Sequence, residues 1–307
     1  YDEIADNANI EGVSYAFRWS MLEGDTRGDY SAGFALLHAE LDKLESLAIP
    51  KRLIIRMNTI AYGKTCPAKT HFPSYVINNG WLFETSSCII KFWEAAPTEA
   101  YIDLLNAYAA EFDDEPYFEG IYLIRETAPG WQGRPVAPDF SPSAYISNME
   151  RIVAAAGAAF EKTNAVQSLN YLGTQNDVNE HMAYIFSRGV GHGAPDLLPE
   201  KCADRAPVQS DISYLGLSGG VEDWRGTLPS IRSIEVTQMG LNLGDCTPSQ
   251  LYDYGNHTIK ASHILWQRNT FAGTAAQQWP AILKFIQTNP VTNTACPKMY
   301  TQGCESR

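Results

Sequence analysis

The stretch Glu119-Gly-Ile-Tyr-Leu-Ile-Arg-Glu126-Thr127 is the best starting point for interpreting this sequence. It is a short apolar run that ends in a charged pair, and turn-forming residues flank it on both sides. A run of this length and composition predicts a fully buried parallel strand. Glu126 then lies at the carboxyl end of that strand, where the following loop leaves a rigidly held side chain open to a ligand. Glu126 is therefore a candidate functional residue.

A second run, Ser230-Ile-Arg-Ser-Ile-Glu235-Val-Thr-Gln238, repeats the same pattern later in the chain. Because the carboxyl ends of parallel strands meet at one edge, we expect the two glutamates to share one site. The alternative is that each glutamate is a salt-bridge partner. Three arginines are candidates for that pairing: Arg125, Arg56 and Arg268.

Strand-like and helix-like segments alternate along almost the whole sequence, which is typical of a parallel sheet covered by helices. Strands are predicted at 11–19, 51–58, 119–127, 165–171, 230–238 and 261–267. Helices are predicted at 32–47, from Thr98 onward, at 143–162, at 178–188 and from Trp279 onward. The segments 59–88 and 189–196 are predicted as loops. With 307 residues, the chain fits an α/β fold with a single (β/α)8 TIM barrel across residues 1–307.

The charge of the chain restricts the possible partners. The formal net charge is −12, and no Lys and Arg cluster of the kind needed for phosphate binding was found, so no nucleic-acid partner is expected. No apolar run reaches the ~18 residues needed to span a bilayer, so no membrane partner is expected. We expect a monomer.

The six cysteines contain no CxxC pair, which argues against a zinc site or a thioredoxin-like motif. They fall into couples of near neighbours along the chain. Six cysteines allow about 15 pairings, so the sequence does not fix them, and free thiols remain the alternative. The nearest-neighbour scheme would pin loops and would indicate a secreted or periplasmic protein. Its disulfides would be Cys66–Cys88, Cys202–Cys246 and Cys296–Cys304.

Several fragments resemble one known group of enzymes. These are Arg18-Trp19-Ser-Met-Leu-Glu23-Gly24, Gly28-Asp-Tyr30-Ser31, Arg52-Leu-Ile-Ile-Arg56 and Pro73-Ser-Tyr75. Together they resemble retaining glycoside hydrolases of the large (β/α)8 clan that includes β-galactosidases, cellulases and mannanases, without matching one member family. The resemblance implies that Glu126 is the acid/base and Glu235 the nucleophile. It implies no cofactor.

The chain departs from this clan at two points. Arg125 stands where the clan usually has an Asn that hydrogen-bonds the sugar 2-hydroxyl. The strand count is also open: Val13 to Trp19 is either strand two, with a first strand upstream, or strand one, with Cys88 to Phe92 as strand three. Both counts place Glu126 on strand four and Glu235 on strand seven.

Polar and aromatic side chains near the predicted strand ends are candidates for binding sugar hydroxyls and the C–H faces of sugar rings. They are Arg18, Trp19, Asn58, Arg125, Gln167, Asn170, Tyr171, His192, Asp196, Gln238, His263, Trp266 and Gln267. Trp19 and Tyr171 could equally fill the core. His192 and Asp196, beside His181, match no zinc signature, so no metal is predicted and both are interpreted as sugar contacts.

Two carboxylates at one edge suit glycosidic bond cleavage, in which one is protonated and the other ionised. The hypothesis is a glycoside hydrolase that cleaves a β-linked oligo- or polysaccharide by retaining double displacement. A non-catalytic carbohydrate-binding barrel is one alternative, suggested by Arg125 in place of Asn. A polysaccharide lyase is another, because Arg125 could neutralise an acidic sugar. Asn256-His-Thr258 matches a glycosylation sequon, although a single match is a weak signal.

Overall fold

The computed structural model describes residues 1–124, 137–169, 172, 174–193, 233–236, 247–258, 261–268 and 278–290, with 233–236 described as backbone. Among these residues, none of the helices combines the length and the apolar character that crossing a membrane requires. The predicted cysteine pairs Cys202–Cys246 and Cys296–Cys304 lie outside the described residues.

The described part of the chain contains ten strands and eight α-helices. The strands are β1 (Gly12–Arg18), β2 (Arg52–Asn58), β3 (Ile60–Tyr62), β4 (Leu82–Glu84), β5 (Ser87–Ile90), β6 (Phe118–Tyr122), β7 (Asn164–Ser168), β8 (Gly191–Gly193), β9 (Ser233–Val236) and β10 (His263–Trp266). The helices are α1 (Trp19–Leu22), α2 (Ser31–Glu45), α3 (Ser74–Asn78), α4 (Ala95–Phe112), α5 (Pro142–Ala159), α6 (Gln175–Ser187), α7 (Pro248–Tyr252) and α8 (Trp279–Ile286).

Seven of these strands are parallel. Five form one sheet in the order β1-β2-β6-β7-β8, and β10 pairs with β9. Helices occupy most of the connections between them, as α2 does between β1 and β2 and α5 between β6 and β7. This is the repeating strand–helix unit of a (β/α)8 barrel.

Successive side chains of a strand point to opposite faces, and the parallel strands therefore have an inner and an outer face. Ile54, Tyr122 and Val166 form a small buried cluster with Leu265 of β10 packed against it. These four residues define the interior of the barrel. Their strand neighbours belong to a much larger core between the sheet and the helices.

The segment 59–88 was predicted as a loop, and this was wrong. It contains α3 and a small antiparallel sheet in the order β3-β5-β4. The predicted disulfide Cys66–Cys88 is confirmed, and Cys88 is buried on β5. The two cysteines join the connection between β3 and α3 to the middle strand of this small sheet.

The same sheet corrects the strand count. β5 lies outside the parallel sheet, and β2 pairs directly with β6. The count that made Cys88 to Phe92 the third barrel strand is therefore wrong. The segment 189–196 was also predicted as a loop, but residues 191–193 form β8, which pairs with β7.

A polar cluster lies at the amino-terminal end of the barrel. β6 has one extra residue opposite β2, because Phe118 pairs with Leu53 and Gly120 with Ile54. The extra residue is Glu119, and its carboxylate contacts three inner side chains. They are Arg52, in an ion pair, Asn164, whose Nδ2 donates over 2.9 Å, and His263, whose Nε2 lies 3.2 Å away.

This cluster determines the charge state of Glu119. Burial alone would raise its pKa, but the hydrogen bond and charge of His263, together with the charge of Arg52, outweigh burial and lower the pKa below its ordinary value. Glu119 is therefore an ionised carboxylate enclosed by its partners, and it joins β6 to β2, β7 and β10 at this end.

Gly120 makes this end of the barrel sensitive to side-chain size. Its φ is +149°, and a Cβ atom there would lie 2.0 Å from the Asn164 carbonyl oxygen. We expect Gly120→Ala to lower the free energy of unfolding by about 2 to 4 kcal/mol, because backbone strain and a backbone clash add. Chemical denaturation measures this change.

Gly80→Ala is the matched control for that substitution. Gly80 also has a positive φ, +70°, but a Cβ atom there would meet nothing within 4 Å. It tests conformational strain without the clash, and its cost should be about 1 kcal/mol. Equal losses from the two variants would contradict the close approach of β6 and β7.

A π-helical turn, Asp253–Thr258, follows α7. Asn256 within it is buried, and its Nδ2 donates to the Tyr252 hydroxyl over 3.2 Å. The same hydroxyl donates to the Pro290 carbonyl over 2.6 Å. The turn is thereby tied to the chain that follows α8.

Candidate active site

Two predicted binding residues meet at the carboxyl-terminal edge of the barrel. Arg18 ends β1 and Asn58 ends β2, and the two are register partners. Ile54, four residues before Asn58 on the same strand, lies in the barrel interior. Side chains at even spacing along a strand share a face, so Arg18 and Asn58 both lie on the inner face at this edge. We refer to this edge as the mouth.

The Arg18 side chain is held by the segment that follows β3. Its Nη1 donates to the Thr70 carbonyl over 3.2 Å, and the Ser20 amide donates to the His71 carbonyl over 3.1 Å. Burial lowers the pKa of His71, and the positive charges of Arg18 and Lys64 lower it further. The side of the mouth beside β1 and β2 is therefore cationic.

Asn58 contributes an acceptor with unused capacity. Its Oδ1 is buried, and it accepts no hydrogen bond from the described residues. The Oε1 atom of Gln267, one residue after β10, is also buried and likewise accepts no hydrogen bond from the described residues. Buried amide oxygens are normally paired, so both are suited to accept a hydrogen bond from a ligand hydroxyl.

One layer deeper, the barrel interior carries Arg56 and Tyr122, which are register partners on β2 and β6. Each of the two residues has an interaction with a partner. Tyr122 was not predicted as a site residue, although its place two residues after Gly120 put it on the inner face. The mouth therefore has a polar floor.

Of the two candidate catalytic glutamates, the structure describes the backbone of Glu235 only. Glu235 lies on β9, in register with Leu265, a residue of the barrel interior; its side chain is outside the described part. Glu126 also lies outside it, two residues after Ile124, which is buried at the carboxyl end of β6. Arg268, considered as a salt-bridge partner, instead pairs with Glu3 over 3.0 Å.

The structure contradicts the prediction that Trp19 binds substrate. Its side chain is only 1 % exposed, and it packs edge-to-face on Tyr101 of α4. Its Nε1 donates to Glu23 over 2.7 Å, and this carboxylate also accepts from the Tyr75 hydroxyl. Trp19 is a core residue with no face open to a sugar. A place in the core was the alternative considered from the sequence.

Gln167 and His192 were also predicted to bind substrate, and the structure contradicts both predictions. They are register partners on β7 and β8, next to Val166, whose side chain fills the interior. Because faces alternate, Gln167 and His192 point outward, toward the helices, and both are buried. His181 is buried on α6, and burial lowers its pKa to about 4.

Two residues of β10 that were predicted to bind substrate lie in the wrong place to do so. His263 is the first residue of the strand, and it contacts Glu119 at the end of the barrel opposite the mouth. Trp266 neighbours the inward-facing Leu265 and therefore faces outward, where its ring lies 6.1 Å from that of Phe285 on α8. Neither residue lies at the mouth.

The remaining predicted contacts fall outside the described residues. They are Arg125, Asn170, Tyr171, Asp196 and Gln238. Among the residues that the structure does describe, no three His, Cys, Asp or Glu side chains are grouped as metal ligands.

The fold is that of a (β/α)8 barrel, and solved structures with this fold align along most of the chain. GH5_18 from Streptomyces cattleya, solved in complex with GlcNAc, aligns with a TM-score of 0.58 at 13% identity, covering 93% of this chain and 73% of its own. The fold predicted from the sequence is confirmed.

Two further structures are similar to the chain over comparable lengths. Endoglucanase Cel5A from Pseudomonas stutzeri aligns with a TM-score of 0.53 at 13% identity, covering 95% of this chain and 85% of its own. Endo-glycoceramidase II from Rhodococcus sp., in its ganglioside GM3 complex, aligns with a TM-score of 0.54 at 11% identity, covering 92% and 72%. No family model and no curated protein matches the sequence.

Proposed function

We propose that this protein is a retaining glycoside hydrolase that cleaves a β-linked oligo- or polysaccharide, with Glu126 as acid/base and Glu235 as nucleophile. The observation that carries the proposal is the place of Glu235 in the barrel. Glu235 occupies β9 at an inner register position, and in the sequence Glu126 follows Ile124, which is buried just after β6, by two positions.

The order of the strands supports a shared site. Among the seven described parallel strands, β6 and β9 are three apart in chain order, which is the separation of strands four and seven in the clan that the sequence resembles. In a barrel of eight strands, positions three apart lie across the mouth from each other. A retaining pair needs carboxyl groups only about 5 to 5.5 Å apart.

The proposed reaction proceeds in two displacements. In the first, the Glu235 carboxylate attacks the anomeric carbon, the glycosidic C–O bond breaks, and the Glu126 carboxyl gives its proton to the leaving oxygen. In the second, water attacks the anomeric carbon, Glu126 takes a proton from that water, and the ester bond to Glu235 breaks. The free sugar regains its original configuration, and both glutamates return to their starting protonation states.

The other polar groups at the mouth suit substrate positioning. The unused acceptors of Asn58 and Gln267 can take hydroxyl protons, and Arg18 can donate to a sugar oxygen. The glycosidase names of the structural neighbours also support the proposal.

Proton NMR of a reaction started in D2O tests the mechanism directly. We expect the first product formed from a β-linked substrate to be the β-anomer, with the α-anomer appearing only as mutarotation proceeds. An α-anomer as first product would contradict double displacement. An unsaturated product that absorbs in the ultraviolet would identify a lyase, and binding without product would identify a carbohydrate-binding barrel.

We also propose that the protein acts outside the reducing cytoplasm, in a secreted or periplasmic setting. The Cys66–Cys88 disulfide supports this, because such bonds persist in oxidising compartments. Action as a monomer and as a single domain over residues 1–307 stay predictions.

A further inference from the structure

The charge of this chain is unevenly distributed along the sequence. Although the whole chain carries a formal charge of −12, no Asp or Glu occurs between Glu45 and Glu84. The same interval contains five Lys or Arg residues. It begins before β2 and ends in β4, and it therefore includes the wall of the mouth that follows β2.

Two cations, Arg18 and Lys64, belong to this wall. Arg18 reaches the wall from β1 through its bond to the Thr70 carbonyl, and Lys64 lies in the same connection between β3 and α3. Both positive charges lower the pKa of His71, next to Thr70, so Arg18 and Lys64 each lie within electrostatic range of the same imidazole. We call Arg18 and Lys64 the cationic wall.

Neither cation of this wall forms an ion pair with a carboxylate in the described part of the chain. Two acidic side chains that reach this part of the chain bond to backbone amides instead: Asp25 accepts from the Ser74 amide over 2.9 Å, and Glu84 accepts from the Cys66 amide over 2.9 Å. Half-buried Arg18 thus keeps donor capacity toward the mouth.

We propose that the substrate carries an anionic substituent, a carboxylate or a sulfate, on the sugar unit bound beside β1 and β2, where Arg18 and Lys64 receive it. This inference rests on the proposed glycosidase function and narrows its substrate class. Guanidinium and ammonium groups form stronger hydrogen bonds with anions than with neutral hydroxyls, and the planar guanidinium matches the two oxygens of a carboxylate or sulfate.

The surroundings make this selectivity physically useful. The rest of the chain is strongly acidic and would repel an anionic glycan, so a local cationic wall both selects the charged sugar and fixes which end of it enters the mouth. A neutral sugar would leave the donors of Arg18 to water. The substituent would therefore determine the register of the glycan across the two glutamates.

Calorimetry with three matched β-linked tetrasaccharides tests the proposal. They are a glucose oligomer, its glucuronic acid counterpart and its 6-sulfated counterpart, each titrated into full-length Glu235→Gln protein so that turnover does not interfere. We expect at least one charged oligomer to bind about ten-fold more tightly than the neutral one. The additional free energy of a hydrogen bond to a charged group, relative to a neutral one, corresponds to about this change in affinity. The charged oligomer that binds more tightly shows whether the substituent is a carboxylate or a sulfate.

Variants of the cationic wall locate the effect. In the Glu235→Gln background, Lys64→Gln should lower the ratio of charged to neutral affinity by about 2- to 5-fold, as expected for an exposed charge pair. Arg18→Gln should lower the ratio by more than Lys64→Gln does, and the two substitutions together should bring it close to one. Lys43→Gln is the matched control, because Lys43 lies on α2 and pairs with Glu40, and it should leave the ratio unchanged.

The outcomes separate this proposal from the proposed function. If no charged oligomer binds more tightly than the neutral one, or if the preference survives both Lys64→Gln and Arg18→Gln, the cationic wall does not select the substrate and the inference is overturned. If the charged preference is present but wild-type protein releases no sugar from any oligomer, the inference stands and the glycosidase proposal fails.

Discussion

Replacing Glu235 by Gln is expected to reduce glycoside hydrolysis to the detection limit, and replacing Glu126 by Gln is expected to lower kcat by about 10²- to 10⁴-fold. The amide keeps the size and polarity of the side chain but cannot attack the anomeric carbon. At position 126 it cannot donate the proton that the leaving oxygen needs. The measurement is kcat and KM on a cleavable β-glycoside.

The two variants should differ in their response to the leaving group. A dinitrophenyl leaving group needs no proton, so Glu126→Gln should form the glycosyl-enzyme on such a substrate at near wild-type rate and then accumulate it. Added azide, a nucleophile that needs no general base, should release the sugar as the β-glycosyl azide. Glu235→Gln should gain nothing from the better leaving group.

Glu180→Gln is the control for these substitutions, because Glu180 lies on α6 and bonds only to the nearby Asn176 among the contacts described for it. Its kcat should match that of the wild type. Full turnover by both Glu126→Gln and Glu235→Gln would contradict the assignment of the two glutamates. Loss in one variant alone would reassign the other glutamate.

The second large effect concerns the closed end of the barrel. Glu119→Gln is expected to lower the free energy of unfolding by about 3 kcal/mol, because it leaves the partly buried positive charge of Arg52 without its counter-ion. The neutral amide can still bond Asn164, so lost packing contributes little. Equilibrium denaturation in urea measures the difference.

The same cluster gives the stability a pH dependence of known sign. The folded-state pKa of Glu119 is lowered below the ordinary value of 4.5. Its contribution to stability is therefore complete above about pH 5, and it is lost as the pH falls through 4.5 toward the folded-state value. Wild-type protein should lose stability in this window, and Glu119→Gln should lose correspondingly less.

Glu111→Gln is a matched control at the surface. Glu111 also pairs with a histidine, His38, at 2.7 Å, but both side chains are about two-fifths exposed. Its substitution should cost under about 1 kcal/mol. If Glu119→Gln cost no more than Glu111→Gln, the cluster around Glu119 would not be what holds β2, β6 and β10 together.

The sequence predicted those strands of the barrel that are long and apolar. β1, β2 and β7 were each predicted within a few residues of their bounds, and β6 was predicted to continue to Thr127, whereas the strand ends at Tyr122. β2, β6 and β7 carry the apolar runs of strands buried on both faces. β8 was missed because it consists of Gly191, His192 and Gly193, none of which favours a strand. Its pairing with β7 comes from tertiary contacts that no local pattern records.

The segment 59–88 shows a second limit of the sequence. It has the Pro, Gly and Cys residues that are typical of a loop, and the long stretch without strand signals argued for one. The two short strands β3 and β4 pair with β5, which the disulfide joins to the rest of the segment. This pairing depends on contacts across the segment, which residue composition does not reveal.

Candidate binding residues were predicted from closeness to strand ends, and that criterion ignores the face on which a side chain lies. Arg18 and Asn58 have the inner face and lie at the mouth. Gln167 has the outer face, although it is just as close to a strand end. His263 has the inner face but the wrong end of its strand. Register across the sheet supplies both facts, and it follows only from the pairing of strands.

Asn256, buried in the π-helical turn, limits which forms of the chain can adopt this fold. An oligosaccharide attached at Asn256 would require its amide nitrogen to leave the Tyr252 hydroxyl and emerge from the interior. A chain modified at this sequon therefore could not keep the turn as it is, and the fold is compatible only with an unmodified Asn256 side chain.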